Sequence, residues 1–279
     1  MTQSRFCIPL LALIVGLSTG ACAQTKPAFP KKEYEPHVGQ SGKDVIWVPT
    51  PQALVDRMLR LGKVTPSDYL IDLGSGDGRT VITAAKRGTR ALGIEYNPDM
   101  VALSKRAAKK EGVEGRAEFK QADLFATDFS AATVLTMFLL PDINLRLRDT
   151  ILDMKPGTRV VSNSFTMGDW KWEDSAVATK DEGCEQYCTA YLWIVPAKVE
   201  GAWKTPQGTL KLEQEYQMLS GSLTAGGRTL TVSGRLTGDQ INFSAGGARY
   251  MGRVNGERIE GTMQNGLNAQ AWRAVRVTK

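Results

Sequence analysis

Tyr69-Leu70-Ile71-Asp72-Leu73-Gly74-Ser75-Gly76-Asp77-Gly78 is the stretch on which the reading of this chain turns. A short apolar run reaches an acidic residue and breaks into three glycines, and helix-forming residues follow over 79–87. Strand, tight glycine turn and helix, in that order, open a nucleotide-binding α/β unit. Glycine at 74, 76 and 78 lets the backbone take positive φ and removes the Cβ that would stand between main chain and ligand. Asp72 can accept hydrogen bonds from a cationic or hydroxylated ligand. Spacing decides the ligand class. A dinucleotide fingerprint reads Gly-x-Gly-x-x-Gly, and its third glycine would fall here at Arg79. The observed Asp-x-Gly-x-Gly-x-Gly departs from dinucleotide binding and fits a ligand with no pyrophosphate. The plainer alternative is a glycine turn with no ligand, and the flanks discriminate between the two.

Downstream, strand and helix patterns alternate. Arg90–Glu95 reads as a second strand, Asn97-Pro98 begins a helix that runs to about 111, and Ala117–Gln121 reads as a third strand. Residues 133–139 are a fourth, apolar throughout as a buried central strand should be. A helix over 142–154 carries Ile143, Leu147 and Ile151 on one face, Pro156-Gly157 turns the chain, and Arg159–Asn163 is a fifth strand. Alternation of this kind predicts an α/β fold, a doubly wound and mostly parallel sheet with helices on both faces. Segments 175–180 and 187–195 predict a hairpin that ends the sheet. From Lys198 the texture changes to short alternating segments punctuated by Gly226-Gly227, Gly238-Asp239, Gly246-Gly247, Asn255-Gly256 and Asn265-Gly266. Asn-Gly between strands is a strong hairpin signal, and seven or eight strands predict a small all-β barrel or sandwich. Gly-Ser-Leu-Thr from 221, Gly-Arg-Leu-Thr from 234 and Gly-Thr-Met-Gln from 261 read as recurring hairpin grammar more than duplication.

Four segments result. Residues 1–23 read as an export signal: Arg5, a ten-residue apolar core from Ile8 to Leu17, then Ala21-Cys22-Ala23 with small residues at −3 and −1 for cleavage before Gln24. Thr19-Gly20-Ala21-Cys22 is also a weak lipoprotein box, which would put a lipid anchor on Cys22. Proline- and glycine-rich 24–42 reads as a linker, 43–196 as the ligand-binding domain and 197–279 as the β-rich domain. The formal charge of +6 is uneven. Residues 43–196 hold 20 basic against 21 acidic side chains, whereas 198–279 hold 11 against 6. The glycine-turn domain therefore lacks the clustered Lys/Arg of a phosphate-tracking groove. His37 is the only histidine and falls in the linker, so a His-based triad or zinc site in the α/β domain is excluded. In Trp47-Val48-Pro49-Thr50-Pro51, Thr50 is a good N-cap and Pro51 a good first helical residue. The same segment is also placed to close over a ligand.

Glu95 ends the second strand, adjacent to the first in a doubly wound sheet, so it converges on the glycine turn, where a carboxylate can bind both hydroxyls of a ribose. The bland role is an acidic charge at the start of the next helix. Asp123 and Leu124 follow the third strand, where the acid can accept from an adenine amino group and the leucine can cover the ring. A turn cap is the alternative. Thr136-Met137-Phe138-Leu139-Leu140-Pro141-Asp142 ends the fourth strand, where the reacting atom would lie. Phe138, Leu140 and Pro141 would line a dry substrate channel, suited to methyl transfer from a sulfonium because loss of charge is favoured at low dielectric. Asp142 is a weak candidate for orienting the nucleophile. Cys184 and Cys188 are the cysteines left after signal cleavage. On one continuous strand they would sit about 13 Å apart, too far for a bridge. A disulfide needs a bend at 185–187, and two buried thiols are the alternative.

These residues resemble the class I S-adenosylmethionine-dependent methyltransferases. The carriers are the run from Asp72 to Arg79, Gly93-Ile94-Glu95-Tyr96-Asn97-Pro98 and Ala122-Asp123-Leu124. More narrowly, 47–170 is similar to the lysine methyltransferases of the ATP synthase c-subunit and the adenine nucleotide translocase, through Val48-Pro49-Thr50, Glu95-Tyr96-Asn97-Pro98 and Pro156-Gly157-Thr158-Arg159-Val160. The resemblance implies S-adenosylmethionine as cofactor, with Asp72, Ser75 and the glycines at 74, 76 and 78 around the methionine part, Glu95 on the ribose, and Asp123 and Leu124 at the adenine. It implies methylation of a protein lysine or small amine. The fourth strand lacks the Asn/Asp-Pro-Pro-Tyr of amino-methylating nucleic-acid enzymes, so no nucleic acid is expected. An exported protein that keeps this fold and uses its β domain for partner binding is the competing expectation, with membrane association through the N-terminus.

Overall fold

The computed structural model describes residues 1–2 and 33–277, so the expected signal beyond its first two residues and the first part of the linker, 3–32 together, lie outside the described residues. Five parallel strands form as the alternation predicts: β1 (Tyr69–Leu73), β2 (Arg90–Glu95), β3 (Ala117–Gln121), β4 (Val134–Met137) and β5 (Arg159–Asn163). β6 (Asp174–Val177) and β7 (Thr189–Ile194) complete the sheet as an antiparallel hairpin, in the order β3-β2-β1-β4-β5-β7-β6. Helices α1 (Gln52–Leu61), α2 (Arg79–Lys86), α3 (Pro98–Lys110) and α4 (Pro141–Leu152) complete the α/β layers. β1 and β4 are buried along almost their whole length, which is why they read as apolar runs broken only by Asp72 and Thr136. The order reverses between them, so the crevice opens beyond their carboxyl ends.

Local chemistry sets the helix starts. Asn97 caps α3, its side chain accepting from the Asp99 N–H at 2.9 Å, with Pro98 at the first helical position. Thr50, expected to cap α1, does not: Pro51 is the capping residue, and the buried Thr50 hydroxyl instead accepts from Asn163 Nδ2 at 3.1 Å. A cross-chain bond to the end of β5 outweighs the local cap.

Strands β8 (Gly201–Thr205), β9 (Gly208–Glu215), β10 (Met218–Ala225), β11 (Arg228–Thr237), β12 (Gln240–Ala245), β13 (Ala248–Asn255), β14 (Arg258–Asn265) and β15 (Asn268–Arg276) form a closed antiparallel barrel. Pairing of β15 with β8 through Val275 and Arg276 removes both edges. Gly226-Gly227 and Gly246-Gly247 each hold two consecutive positive φ values, as a tight two-residue hairpin turn requires. The interior is filled. Trp203, Leu210, Leu236 and Ile259 are fully buried, and the Trp272 ring stands edge-on to the stacked Phe243–Tyr250 pair. The recurring glycines find a physical reason here: a Cβ at Gly221, Gly234 or Gly261 would come within 2.0, 2.2 or 1.9 Å of a neighbouring strand's carbonyl oxygen. They permit the close strand approach of a small, strongly coiled barrel.

The barrel docks on the loop between β5 and β6. Tyr216 stacks on Trp170 and its hydroxyl donates to Asp169 at 2.8 Å, Gln217 Nε2 donates to the Lys171 carbonyl at 2.9 Å, and Arg235 pairs with Glu173. A Gly261→Val variant should lose about 3 kcal/mol of stability. Thr262→Val, on the exposed face beside it, should stay within about 0.5 kcal/mol. Equilibrium denaturation checks both, and an unchanged Gly261→Val midpoint would contradict the close-approach argument.

Candidate functional site

A cavity of about 600 Å³ opens at the carboxyl ends of β1 and β4, a volume in the range of small-molecule sites. Its wall comprises the glycine turn, the ends of β2, β3 and β4, the segment 40–50, and the rings of Phe165 and Tyr187.

Four of the turn's backbone donors are bonded within the protein. The Gly74 and Ser75 N–H groups both donate to the Ile94 carbonyl, at 2.9 and 3.0 Å, the Gly76 N–H donates to Glu95 Oε2 at 2.9 Å, and the Gly78 N–H donates to the Ser75 carbonyl at 2.8 Å. A phosphate-binding turn aims such donors at its ligand. This turn does not, in keeping with a ligand without pyrophosphate. Gly74 and Gly76 face the cavity with φ of +75° and +53°. Gly78 does not line it. Its φ is +81°, and a Cβ there would strike the Phe119 ring at 2.7 Å and Ser104 Cβ at 2.8 Å, so packing under α3 by itself requires a glycine. The Ser75 hydroxyl is buried without a partner and lies where a Cβ on Gly93 would meet it at 2.5 Å.

Glu95 Oε1 accepts from the Asn97 N–H at 2.9 Å while Oε2 holds the Gly76 N–H. Each oxygen keeps a second lone pair, which suits a diol. Asp123 Oδ1 accepts from the Phe125 N–H at 3.0 Å, so it caps a short 3-10 turn begun by Leu124, and both residues also line the cavity. Its Oδ2 accepts from Lys43 Nζ at 2.6 Å. That bond, with the Phe125 N–H beside it, holds the Asp123 carboxyl below the usual carboxylate range and Lys43 above the usual lysine value.

Lys43 belongs to a segment that the sequence alone places at the edge of a linker. From Gln40 onward it is part of the wall. Gly39 and Trp47 form a ladder through Gly39 N–H to the Trp47 carbonyl and Trp47 N–H to the Gln40 carbonyl, both 2.9 Å. The Trp47 indole lies on Gly76, 2.7 Å from where its Cβ would stand. Arg79, bonded to both oxygens of Asp77, also donates to the Thr50 carbonyl at 2.8 Å, which ties this segment to the turn. The cavity's two cations, Lys43 and Arg79, are thus paired, whereas among the described residues neither Asp72 nor Glu95 has a cationic partner. Two lone carboxylates suit a ligand that carries positive charge and hydroxyls.

At the end of β4, beside the glycine turn, Met137, Phe138, Leu139 and Leu140 line the cavity. Pro141 and Asp142 do not: they form the exposed first turn of α4, where Asp142 complements the helix N-terminus. Cys184 and Cys188 are bonded, with Cα atoms 5.8 Å apart. The continuous-strand premise fails because β7 starts only at Thr189 and Tyr187 takes φ of +56°, the bend that the bridge needs.

Residues 72–174 match the family model described as the ANTKMT methyltransferase domain, which ends before β7 and the barrel. The chain is 39% identical over 165 residues to a protein-lysine N-methyltransferase of Saccharolobus islandicus, covering 58% of this chain and 96% of that protein. It is 39% identical over 102 residues to the human lysine N-methyltransferase of the ATP synthase c-subunit, covering 36% of this chain and 44% of that protein, less than half its length. The crystal structure of an RNA methyltransferase from Salinibacter ruber in complex with S-adenosyl-L-homocysteine superposes with a TM-score of 0.50 at 44% identity, covering 55% of this chain and 96% of that one.

Asp72 carries the cavity's largest electrostatic cost. Burial pushes its carboxyl up to about 7; the Thr136 hydroxyl, donating at 2.6 Å, opposes the rise, and the charges of Asp77 and Glu95 add to it. The folded state therefore favours protonated Asp72. That contribution to stability is full below the unfolded value near 3.8 and is lost as pH climbs to about 7. Asp72→Asn should be more stable than the parent at pH 8 by on the order of 3 kcal/mol, with the difference vanishing below pH 4. Denaturation midpoints across that range test it, and a constant difference would show that burial of charge is not the cause.

Proposed function

Because the chain belongs to the S-adenosylmethionine-dependent methyltransferases, in the family of the Saccharolobus protein-lysine N-methyltransferase, we propose that its methyl acceptor is the side-chain amine of a protein lysine. It is an enzyme, and its methyl donor is S-adenosylmethionine. The observation that carries the residue-level reading is the charge arrangement in the cavity. Asp72 and Glu95 are without cations beside a glycine turn whose N–H groups are bonded internally, which fits a ligand with an ammonium, a sulfonium and a ribose diol and no pyrophosphate. On this reading Glu95 takes the ribose, Asp72 faces the methionine end, Asp123 and Leu124 take the adenine, and Phe138 and Leu140 line the acceptor path. When bound, the cofactor supplies an activated methyl whose bond to sulfur breaks, the electron pair staying on sulfur, as the acceptor nitrogen's lone pair forms the new bond to carbon. The chain's residues position the reactants and exclude water. No base is assigned among the described residues of the cavity wall; the acceptor amine gives its proton to solvent at the mouth, before it attacks.

An RNA acceptor has one observation in its favour, the likeness to the Salinibacter RNA methyltransferase. Against it, both cations of the cavity wall are already neutralised by Asp123 and Asp77, and the α/β domain has no basic excess to hold phosphates. Export through residues 1–23 is part of the same proposal. The Cys184–Cys188 bond supports it, since such bonds persist in oxidising compartments. A partner-binding role without turnover draws no support from the cavity.

Three measurements follow. With labelled S-adenosylmethionine and protein acceptors, acid hydrolysis should return the label as methyl-lysine; label recovered in RNA and absent from protein would overturn the lysine reading. By calorimetry, Glu95→Ala should weaken S-adenosylmethionine binding on the order of 100-fold, two charge-assisted hydrogen bonds and the ribose contact being lost together. In material secreted by a host with an intact export machinery, the mature chain should begin at Gln24, or at a lipidated Cys22. A mature N-terminus at Met1 would remove the export proposal.

A further inference from the structure

Three aromatic rings meet at the acceptor end of the cavity from three separate parts of the chain. Phe138 follows β4, Phe165 follows β5, and Tyr187 precedes β7. Their centroids lie 6.0 Å (Phe138–Phe165), 5.3 Å (Phe138–Tyr187) and 6.0 Å (Phe165–Tyr187) apart, and all three line the cavity. Phe138 and Phe165 are half-buried and Tyr187 is 41% exposed, so the cluster is a mouth and not a core.

Two of the rings are anchored close to strand ends. Phe138 directly follows the last residue of β4. Phe165 is held by its backbone: its N–H donates to the Asn163 carbonyl at 2.7 Å, and its carbonyl accepts from Ser162 Oγ at 2.7 Å and from Asn144 Nδ2 at 3.2 Å. Tyr187 has no strand or helix to hold it, and its left-handed backbone, φ of +56°, is one that an aromatic residue seldom adopts. Conformations of this kind persist where the surroundings impose them, and they collect at ligand sites. Here the surroundings are a small ring closed by the disulfide. Cys184 is buried and its N–H donates to the Thr179 carbonyl at 3.1 Å; the Cys188 carbonyl accepts from the Ala178 N–H at 2.9 Å. Glu182, reciprocally capped with Thr179, is gripped by Arg57 of α1 at 2.5 and 2.7 Å. The base of the loop is anchored on both sides, and its tip carries Tyr187.

Resting on the reading of an amine acceptor, we propose that Phe138, Phe165 and Tyr187 form a cation seat for the acceptor's ammonium or methylammonium group, with the Cys184–Cys188 bond as the element that sets Tyr187 into it. The rings stand too close together to enclose a cation between them, so the charge rests on their exposed faces, where the ring quadrupole attracts it. No carboxylate joins them. The wall's acids lie on the 40–50 segment, the glycine turn and the ends of β2 and β3. The nitrogen becomes positively charged as its new bond to carbon forms, so faces that favour a cation favour the charge that develops during transfer. Tyr187 lies beyond residue 174, where the family model ends.

The test uses the full oxidised chain and needs no turnover. Tetramethylammonium, titrated by NMR, should bind more tightly than 2,2-dimethylpropanol, an uncharged molecule of similar shape. Tyr187→Ala should weaken tetramethylammonium binding about fivefold or more, Tyr187→Phe should restore it, and neither should move S-adenosylmethionine affinity. Disulfide reduction, or Cys184→Ser with Cys188→Ser, should reproduce the Tyr187→Ala loss. Equal binding of the uncharged molecule, or no effect of Tyr187→Ala, overturns the seat; undiminished binding after reduction overturns the role given to the disulfide. Failure of the lysine reading looks different: the seat still prefers tetramethylammonium, and no methyl-lysine forms.

Discussion

Glu95 accepts from two backbone N–H groups at once, one in the glycine turn at Gly76 and one at Asn97, at the entrance to α3. That pair of bonds joins the carboxyl ends of β1 and β2 and the start of α3 into one rigid corner. The corner explains how the rest of the turn is bonded. With Gly76 committed to Glu95, and Gly74 and Ser75 to the Ile94 carbonyl, the turn presents Cα faces and carbonyls to the cavity in place of donors. The ligand class follows from where the N–H groups went, as much as from the glycines themselves.

The opposite wall is built from further away. The loop between β5 and β6 carries Phe165 into the cavity mouth and, a few residues on, Asp169, Trp170, Lys171 and Glu173 into the barrel contact. Arg148 of α4 reaches the same loop through the Met167 carbonyl and Asp169. A barrel with a filled interior thus buttresses, from outside, a segment that shapes the site. This gives the barrel a physical role without any chemistry in it. Its tightly coiled strands and filled interior supply the stiffness, and Tyr216 and Gln217, in one of its hairpin turns, transmit it.

What could be read in the sequence was what is local. The glycine turn, Glu95 at a strand end and Asp123 after the next strand are each marked by position relative to a periodic element, and the sheet order makes them converge. What could not be read depends on partners far along the chain. Lys43 reaches Asp123 across 80 residues, and nothing in its neighbourhood marks it. Thr50 has every local quality of a cap and is claimed by Asn163 instead. Gly78 has the look of a ligand glycine, but Phe119 and Ser104 explain it. Cys184 and Cys188 are too far apart only if 184–188 is extended, and one residue at positive φ, Tyr187, undoes that premise. Phe165 and Tyr187 carried no signal, since single aromatics in loops are ordinary until a fold assembles them.

The two ends of the cavity treat positive charge by different means, and the difference has a chemical reason. At the glycine-turn end, carboxylates without partners are tolerated despite their cost, which Asp72 displays in a carboxyl pushed to about 7. A cofactor with permanent or strongly basic cations can be held by such groups, because nothing there has to lose a proton. The acceptor nitrogen must be neutral to attack. A carboxylate beside it would form an ion pair, raise the amine's affinity for its proton and hold it in the unreactive form. Aromatic faces attract a cation more weakly and cannot accept a proton from it or hydrogen-bond it into place. With the acids on the 40–50 segment, the glycine turn and the ends of β2 and β3, and the rings after β4, after β5 and before β7, the site binds charge where charge stays and releases it where charge must leave.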